Sequence, residues 1–142
     1  MATLKNKAPV RALYGALMHQ EYLRSGSLAA AEMANSHYLV ALDRGGDDPR
    51  LRATLLDDLG LLQTDVGNYR IALGYFEQRD KLPYGANASA LAVHLAHALA
   101  LLHLGKEKQS AALTERALVV LRQTPALSAY ARSPSTAVRS RT

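Results

Sequence analysis

The stretch from residue 56 to residue 76, LDDLGLLQTDVGNYRIALGYF, constrains the fold more than any other part of the chain. Its apolar and small residues recur at helical spacing on both sides of Gly67, which interrupts the pattern. Gly60 before that turn and Ala72 after it are small enough to let two helices approach closely. Phe76 is large enough to fill the space beside them. The stretch therefore predicts two helices folded back on each other around Gly67.

Glycines punctuate the rest of the chain in the same way. Gly26, Gly67 and Gly105 each follow one apolar helical run and precede another, at spacings of 41 and 38 residues. Leu and Ala, both strong helix formers, dominate the apolar 49% of the sequence, and β-branched residues are sparse. The predicted fold class is therefore all-α, an array of helical hairpins with about six helices. The predicted helices span residues 9–24, 28–43, 49–65, 69–81, 88–104 and 107–123.

Polar residues indicate where several of these helices begin. Asp48 is expected to cap the third helix, with Pro49 at its first position, where a missing N–H has no consequence. Asn68 is expected to cap the fourth helix, and Asn87 or Ser89 the fifth.

The C-terminal ends have signals of their own. Gly105 suits the left-handed residue that ends a helix, and Pro125 marks the end of the sixth helix. The residues that follow, 125–142, are rich in Ser, Pro and Arg and poor in large apolar groups, which predicts a flexible basic tail. The predicted organisation is one helical repeat domain over residues 1–124 and this tail.

The pattern resembles the tetratricopeptide repeat (TPR), a helical hairpin that follows W-x2-L-G-x2-Y, then A-x3-F, then P. The resemblance covers about residues 12–122 as three repeats, of which the middle one matches best. In the third repeat Ala98 takes the place of Gly60, whereas in the first repeat His19 falls where a small residue is expected. The residues that carry the pattern are Leu59, Gly60, Gly67, Tyr69, Ala72, Phe76, Ala98 and Gly105.

A TPR-like array implies non-catalytic protein–protein interaction: an adaptor, scaffold or chaperone that holds a peptide or a partner helix in a concave groove. In this family the first helix of each hairpin lines the groove. The candidate groove residues are Leu13, Gln20, Arg24, Thr54, Asp57, Leu61, Thr64, Asp65, Ala92, Leu95, Leu99 and His103. Alternatively, Leu95 and Leu99 bury against a further helix or against a second copy of the chain.

Three other functions stay open. The chain is alternatively a sensor or regulatory domain of a larger signalling or transcription protein, or a self-assembling structural protein with the fifth helix as its interface. The third is a small metalloenzyme, because His94 and His97 share one helical face at a spacing that can bind zinc. We expect packed histidines instead, since a metal needs more ligands and the chain has no Cys.

No catalytic residue, metal site or cofactor is predicted. The adjacent carboxylates of Asp57 and Asp58 point about 100° apart on a helix, which does not suit a general acid and base acting together. The sequence contains neither a nucleophile elbow nor a glycine-rich phosphate loop.

The net charge of +5 and the pI of about 9.7 raise the question of a nucleic-acid partner. Much of the positive charge, however, lies near the two ends of the chain, and the body between them is close to neutral. The basic residues concerned are Lys5, Lys7, Arg11, Arg132, Arg139 and Arg141. A duplex-binding domain is expected to carry a basic stripe on a folded face, so we expect a protein or peptide partner and no nucleic acid.

The chain also lacks the signals of a membrane or secreted protein. No apolar run approaches the roughly 20 residues that span a bilayer, and the first residues do not form a secretory signal. We therefore expect a cytoplasmic protein without a membrane span, and its Ala-, Leu- and Arg-rich composition favours a bacterial source.

Overall fold

The computed structural model describes residues 7–45, 47–83 and 90–123. Within these ranges the chain forms six α-helices and no β-strand, so the predicted all-α fold class is confirmed. The helices are α1 (Ala8–Ser25), α2 (Leu28–Arg44), α3 (Pro49–Val66), α4 (Tyr69–Asp80), α5 (Ala90–Glu107) and α6 (Ala111–Arg122).

The chain divides into two compact units, unit 1 (Met1–Gly85) with α1 to α4 and unit 2 (Ala86–Thr142) with α5 and α6. A single repeat domain over residues 1–124 stays a prediction. The predicted tail, residues 125–142, lies outside the described residues, as do the predicted helix signals Asn87, Ser89 and Pro125.

The helices of unit 1 begin and end within one residue of their predicted bounds, because residues with strong local preferences mark those ends. Asp48 accepts hydrogen bonds from the backbone N–H groups of Arg50 at 3.1 Å and Leu51 at 3.3 Å. Gly26 and Gly67 end α1 and α3 with φ angles of 74° and 95°, in the left-handed region that glycine adopts without strain.

Asn68 is the N-cap residue of α4, as predicted, but its side chain does not satisfy the helix. Asn68 makes no side-chain hydrogen bond to the first turn of α4. Its Nδ2 instead donates to Oε1 of Gln63 at 2.9 Å, so the side chain points back to α3. The side chain of Asn68 therefore bonds to Gln63 on the preceding helix, and it is not available to the backbone N–H groups of α4.

The predicted end of α5 is wrong. Gly105 is not the left-handed residue, since α5 continues beyond it and the left-handed residue is Gln109, with φ of 50°. The next helix consequently begins at Ala111 rather than at residue 107. Ser110 caps it by accepting a hydrogen bond from the backbone N–H of Leu113 at 3.4 Å.

The first hairpin, α1 with α2, is closest at Gly15. A Cβ on Gly15 would lie 2.5 Å from Cδ1 of Tyr38, whose side chain is 2% exposed. The register predicted for this repeat, with His19 at the small-residue position, is therefore wrong. His19 lies beside the Tyr38 ring in an edge-on arrangement, with the ring centroids 6.4 Å apart.

The second hairpin, α3 with α4, repeats this packing at Gly60. A Cβ on Gly60 would lie 2.7 Å from Cδ1 and Cζ of Phe76. Ala72 and Phe76 are both buried in the contact. The absent Cβ is what allows the aromatic ring to lie directly against the backbone of α3.

The core of unit 1 joins the two hairpins through α2 and α3, which pack against each other. Burying one leucine contributes about 1.5–3 kcal/mol relative to leaving it exposed. Four leucines of α3 are fully buried, and three of them belong to this core cluster. The buried core residues are Ala8, Ala31, Ala34, Tyr38, Ala41, Leu55, Leu59 and Leu62.

In unit 2, α5 packs against α6 and buries residues at helical spacing along one side. Gly105 lies within this contact, where a Cβ would meet Oγ1 of Thr114 at 2.7 Å. Its small size therefore serves close helix packing and not helix termination. The buried apolar residues of the unit are Val93, Ala96, Ala98, Ala100, Leu101, Leu104 and Ala117.

We expect Gly60→Ala to lower the free energy of unfolding by about 1–3 kcal/mol, because the new methyl group overlaps the Phe76 ring. The matched control is Gly74→Ala on α4, where a Cβ meets nothing within 4 Å. That change should raise the free energy by about 0.5–1 kcal/mol through helix propensity. Urea unfolding followed by circular dichroism measures both. Equal effects of the two substitutions would contradict the packing described at Gly60.

Candidate functional site: the exposed face of α1 and α3

The first helices of the two hairpins in unit 1 meet at Asp65. The Nε2 of His19 on α1 lies 2.7 Å from Oδ2 of Asp65 on α3, at hydrogen-bond distance. The hydroxyl of Tyr22 also donates to the backbone carbonyl of Asp65 at 3.3 Å. These bonds hold α1 beside α3.

Three leucines of α1 are exposed. Leu13, Leu17 and Leu23 are 58%, 56% and 53% exposed. Gln20 and Arg24, both predicted groove residues, are exposed on the same helix. Arg24 forms an ion pair with Glu21, one turn earlier, which holds its guanidinium near the end of the helix.

The exposed part of α3 is narrower, because α2 and α4 both pack against this helix. Of the predicted groove residues, Thr54 and Asp65 are exposed and Leu61 is half-buried. We call the outward residues of these two adjacent helices, taken together, the α1–α3 face. Its residues are Leu13, Leu17, Gln20, Leu23 and Arg24 of α1 with Thr54, Asp58, Leu61 and Asp65 of α3.

Two predicted groove residues, Asp57 and Thr64, do not belong to this face. Asp57 is 3% exposed and forms an ion pair with Arg79 of α4, with a distance of 3.2 Å between Nε and Oδ1. Thr64 is 6% exposed, and its hydroxyl donates to the carbonyl of Gly60 at 2.8 Å. Both predictions failed because these side chains turn inwards, where they are partnered within unit 1.

Asp58 is the titratable group of the face whose environment is most unusual. Burial raises its pKa to about 6, and the negative charge of Asp57 acts in the same direction, whereas His19 acts in the opposite one. The same carboxylate adds to the effect of burial in raising the pKa of Tyr38. At neutral pH the partly buried Asp58 is therefore charged, and the opposing effect of His19 is too small to offset its burial and the charge of Asp57.

This pKa predicts a pH-dependent stability. Since the folded-state pKa of Asp58 lies above its ordinary value of 3.8, the folded chain binds this proton more tightly than the unfolded chain does. The stabilisation from the protonated form is complete below about pH 4 and is lost as the pH rises through about 6. Its size is about 2–3 kcal/mol.

We therefore compare the free energies of unfolding of Asp58→Asn and the wild type at pH 4 and pH 7.5. The variant minus wild-type difference should be about 1–3 kcal/mol larger at pH 7.5, because asparagine does not ionise. Urea unfolding at the two pH values measures the change in that difference. Asp47→Asn, in the exposed turn before α3, is the control and should leave the difference constant. Parallel pH profiles for wild type and Asp58→Asn would contradict the environment assigned to Asp58.

The remaining predicted groove residues lie on α5 in unit 2. Ala92, Leu95, Leu99 and His103 are all exposed, with Leu95 and Leu99 at 44% and 42%. Leu91, which was not among the predicted residues, is 45% exposed and extends them to a stripe at every fourth position. The four-residue spacing from Leu91 to Leu95 could have predicted this position from the sequence.

The two histidines considered for a metal site also lie on α5. His97 is 7% exposed, and His94 is half-buried. Among the residues that the structure describes, no group of three or more His, Asp or Glu side chains is placed to hold a metal ion.

Sequence reasoning missed Leu17, Leu23 and Asp58 on the α1–α3 face. Leu17 follows Leu13 by one helical turn, so the spacing of the apolar residues could have found it. Asp58 carried no comparable signal, because the burial that is the main cause of its raised pKa depends on helices that are distant in the sequence.

Comparison with known proteins finds no match among family models, curated proteins or solved structures. Within the described ranges, no helix has both the length and the apolar character needed to cross a membrane.

Proposed function

We propose that this chain is a non-catalytic protein–protein interaction module, a TPR-like adaptor, scaffold or chaperone that binds a peptide or helix on the α1–α3 face. The observation that carries the proposal is the exposure of three leucines on α1: Leu13 and Leu17 lie one turn apart on one side of the helix, and Leu23 lies further along it, each with more than half of its surface exposed. Exposed apolar surface bordered by polar residues is typical of protein interaction sites.

The chemistry of the face favours a partner with both apolar and charged groups. Leu13 and Leu17 lie one turn apart, which suits the i and i+4 anchors of an amphipathic helix. Gln20 and Arg24 follow Leu13 and Leu17 on the same side of α1 and border them with hydrogen-bonding and charged groups. Such a border excludes water from the apolar contact and selects the register of the partner.

The packing of unit 1 supports the same function. In a stack of helical hairpins, neighbouring first helices present one continuous surface to a partner. The bonds from His19 and Tyr22 to Asp65 hold α1 and α3 side by side, as this proposal requires. A preformed surface binds more tightly than one that must be ordered on binding.

We expect the double variant Leu13→Glu with Leu17→Glu to lose at least about 90% of the partner that co-purifies with the wild type, because two carboxylates replace the apolar anchors. The matched control is Met33→Glu on α2, where the native side chain is 49% exposed away from the face. Quantitative mass spectrometry of co-purified proteins measures the loss, and circular dichroism verifies folding. A folded double variant that keeps every partner would exclude the α1–α3 face as the site.

Self-association is a second candidate function, favoured by the stripe of Leu91, Leu95 and Leu99 on α5. Leucines at every fourth position form a ridge that a second helix of the same kind can pack against. The two functions are compatible, because the stripe lies in unit 2 and the α1–α3 face lies in unit 1.

If the stripe is an interface, the wild type should be a dimer at high concentration and dissociate on dilution. We expect Leu95→Glu to remain monomeric at concentrations at least about tenfold higher, since it places charge in the centre of the contact. Leu118→Glu on α6, where the native side chain is 37% exposed, is the matched control. Light scattering across a dilution series measures the mass. A wild type that is monomeric at every concentration would reject self-association.

A further inference from the structure

A cleft of about 430 Å³ lies in unit 1 beside α2, the end of α3 and the start of α4. The apolar side chains of Leu28 and Ile71 line it and are 63% and 50% exposed. Three amide side chains, from Asn35, Gln63 and Asn68, line it as well. The cleft therefore combines apolar walls with a row of hydrogen-bonding groups, which is the usual make-up of a binding site.

The three amides form a chain of hydrogen bonds. Asn68 Nδ2 donates to Gln63 Oε1 at 2.9 Å, and Gln63 Nε2 donates to Asn35 Oδ1 at 3.2 Å. Gln63 is 8% exposed, so the middle of the chain is held by its neighbours. The Nδ2 of Asn35 is then a donor at one end, and the Oδ1 of Asn68 is an acceptor at the other.

This arrangement is complementary to a peptide backbone. Each backbone residue other than proline offers one C=O acceptor and one N–H donor. The C=O can accept from Asn35 while the N–H donates to Asn68. Reversing all three amides exchanges the two ends but still leaves one donor and one acceptor.

The charge of the cleft restricts the ligand further. Glu32 is the one charged side chain among the described residues that line it, and it is exposed. A carboxylate at this position favours a lysine or arginine and disfavours phosphate or an acidic peptide. Nucleic acid, with a phosphate at every step, is disfavoured for the same reason.

We propose that this cleft binds an extended peptide segment with an apolar side chain followed two residues later by Lys or Arg. The apolar side chain lies between Leu28 and Ile71, the backbone bonds to Asn35 and Asn68, and the basic group pairs with Glu32. Alternate side chains of an extended peptide point to the same side, so the two anchors enter together. This site is separate from the α1–α3 face and does not depend on the function proposed for that face.

The test is an NMR titration of the ¹⁵N-labelled chain with the peptide acetyl-Gly-Leu-Ala-Lys-Gly-amide. The side-chain amide signals of Asn35, Gln63 and Asn68 should shift and saturate. The same peptide with Glu in place of Lys should bind about two- to fivefold more weakly, the range expected for an exposed ion pair. Absence of saturable shifts at these amides would overturn the proposal.

Variants locate the charge preference. Glu32→Lys should reverse it, so that the Glu peptide binds more tightly than the Lys peptide. Glu115→Lys, an exposed site on α6, is the matched control and should keep the wild-type order. An unchanged order in folded Glu32→Lys would also overturn the proposal.

The double variant Leu13→Glu with Leu17→Glu separates this site from the α1–α3 face. It should bind the Lys peptide as the wild type does, even where it loses co-purifying partners. Peptide-induced shifts confined to the α1–α3 face would reject the cleft and leave the proposed function standing. If the peptide instead causes saturable shifts in the cleft and the double variant loses no partner, the cleft stands and the α1–α3 face is rejected.

Discussion

Unit 1 depends on the contact between a glycine in one helix and an aromatic ring in the next. Gly15 receives Tyr38, and Gly60 receives Phe76. Because each ring occupies the space where a Cβ would lie, the helices cannot move apart without leaving a void or slide without a clash. Each hairpin is therefore held at one separation and in one register.

Directional hydrogen bonds determine how the two hairpins of unit 1 are oriented relative to each other. Apolar packing tolerates small rotations of a helix, whereas a hydrogen bond loses its strength when its geometry is disturbed. His19 bonds to Asp65 between α1 and α3, and Gln63 bonds to Asn35 between α3 and α2. One link includes Asp65 of the α1–α3 face, and the other includes Gln63 and Asn35 of the cleft.

The position of α3 between α2 and α4 explains the polar groups that it buries. Asp57 is satisfied by Arg79, so its burial is compensated by an opposite charge. The charge of Asp58 is offset less than that of Asp57, and burial together with the charge of Asp57 raises the pKa of Asp58. Two adjacent carboxylates on one helix thus have different environments, because they point towards different neighbours.

The helices themselves could be predicted where a residue acts through its own backbone. Asp48 and Gly67 are examples: the cap at Asp48 and the turn at Gly67 need no distant partner, and both occur as predicted. Prediction failed where two partners compete. The side chain of Asn68 bonds to Gln63 instead of the first turn of α4, and Gly105 serves a contact with Thr114 instead of ending α5.

The sequence by itself determined that the chain is helical, where the helices of unit 1 begin and end, and that small residues bring them together. These properties depend on helix propensity, capping and apolar spacing, which act over a few residues. The tertiary structure alone decided which side chains can meet a partner. Asp57 and Thr64 are buried while Leu17 and Leu23 are exposed, since burial depends on helices that are remote in the sequence and adjacent in space.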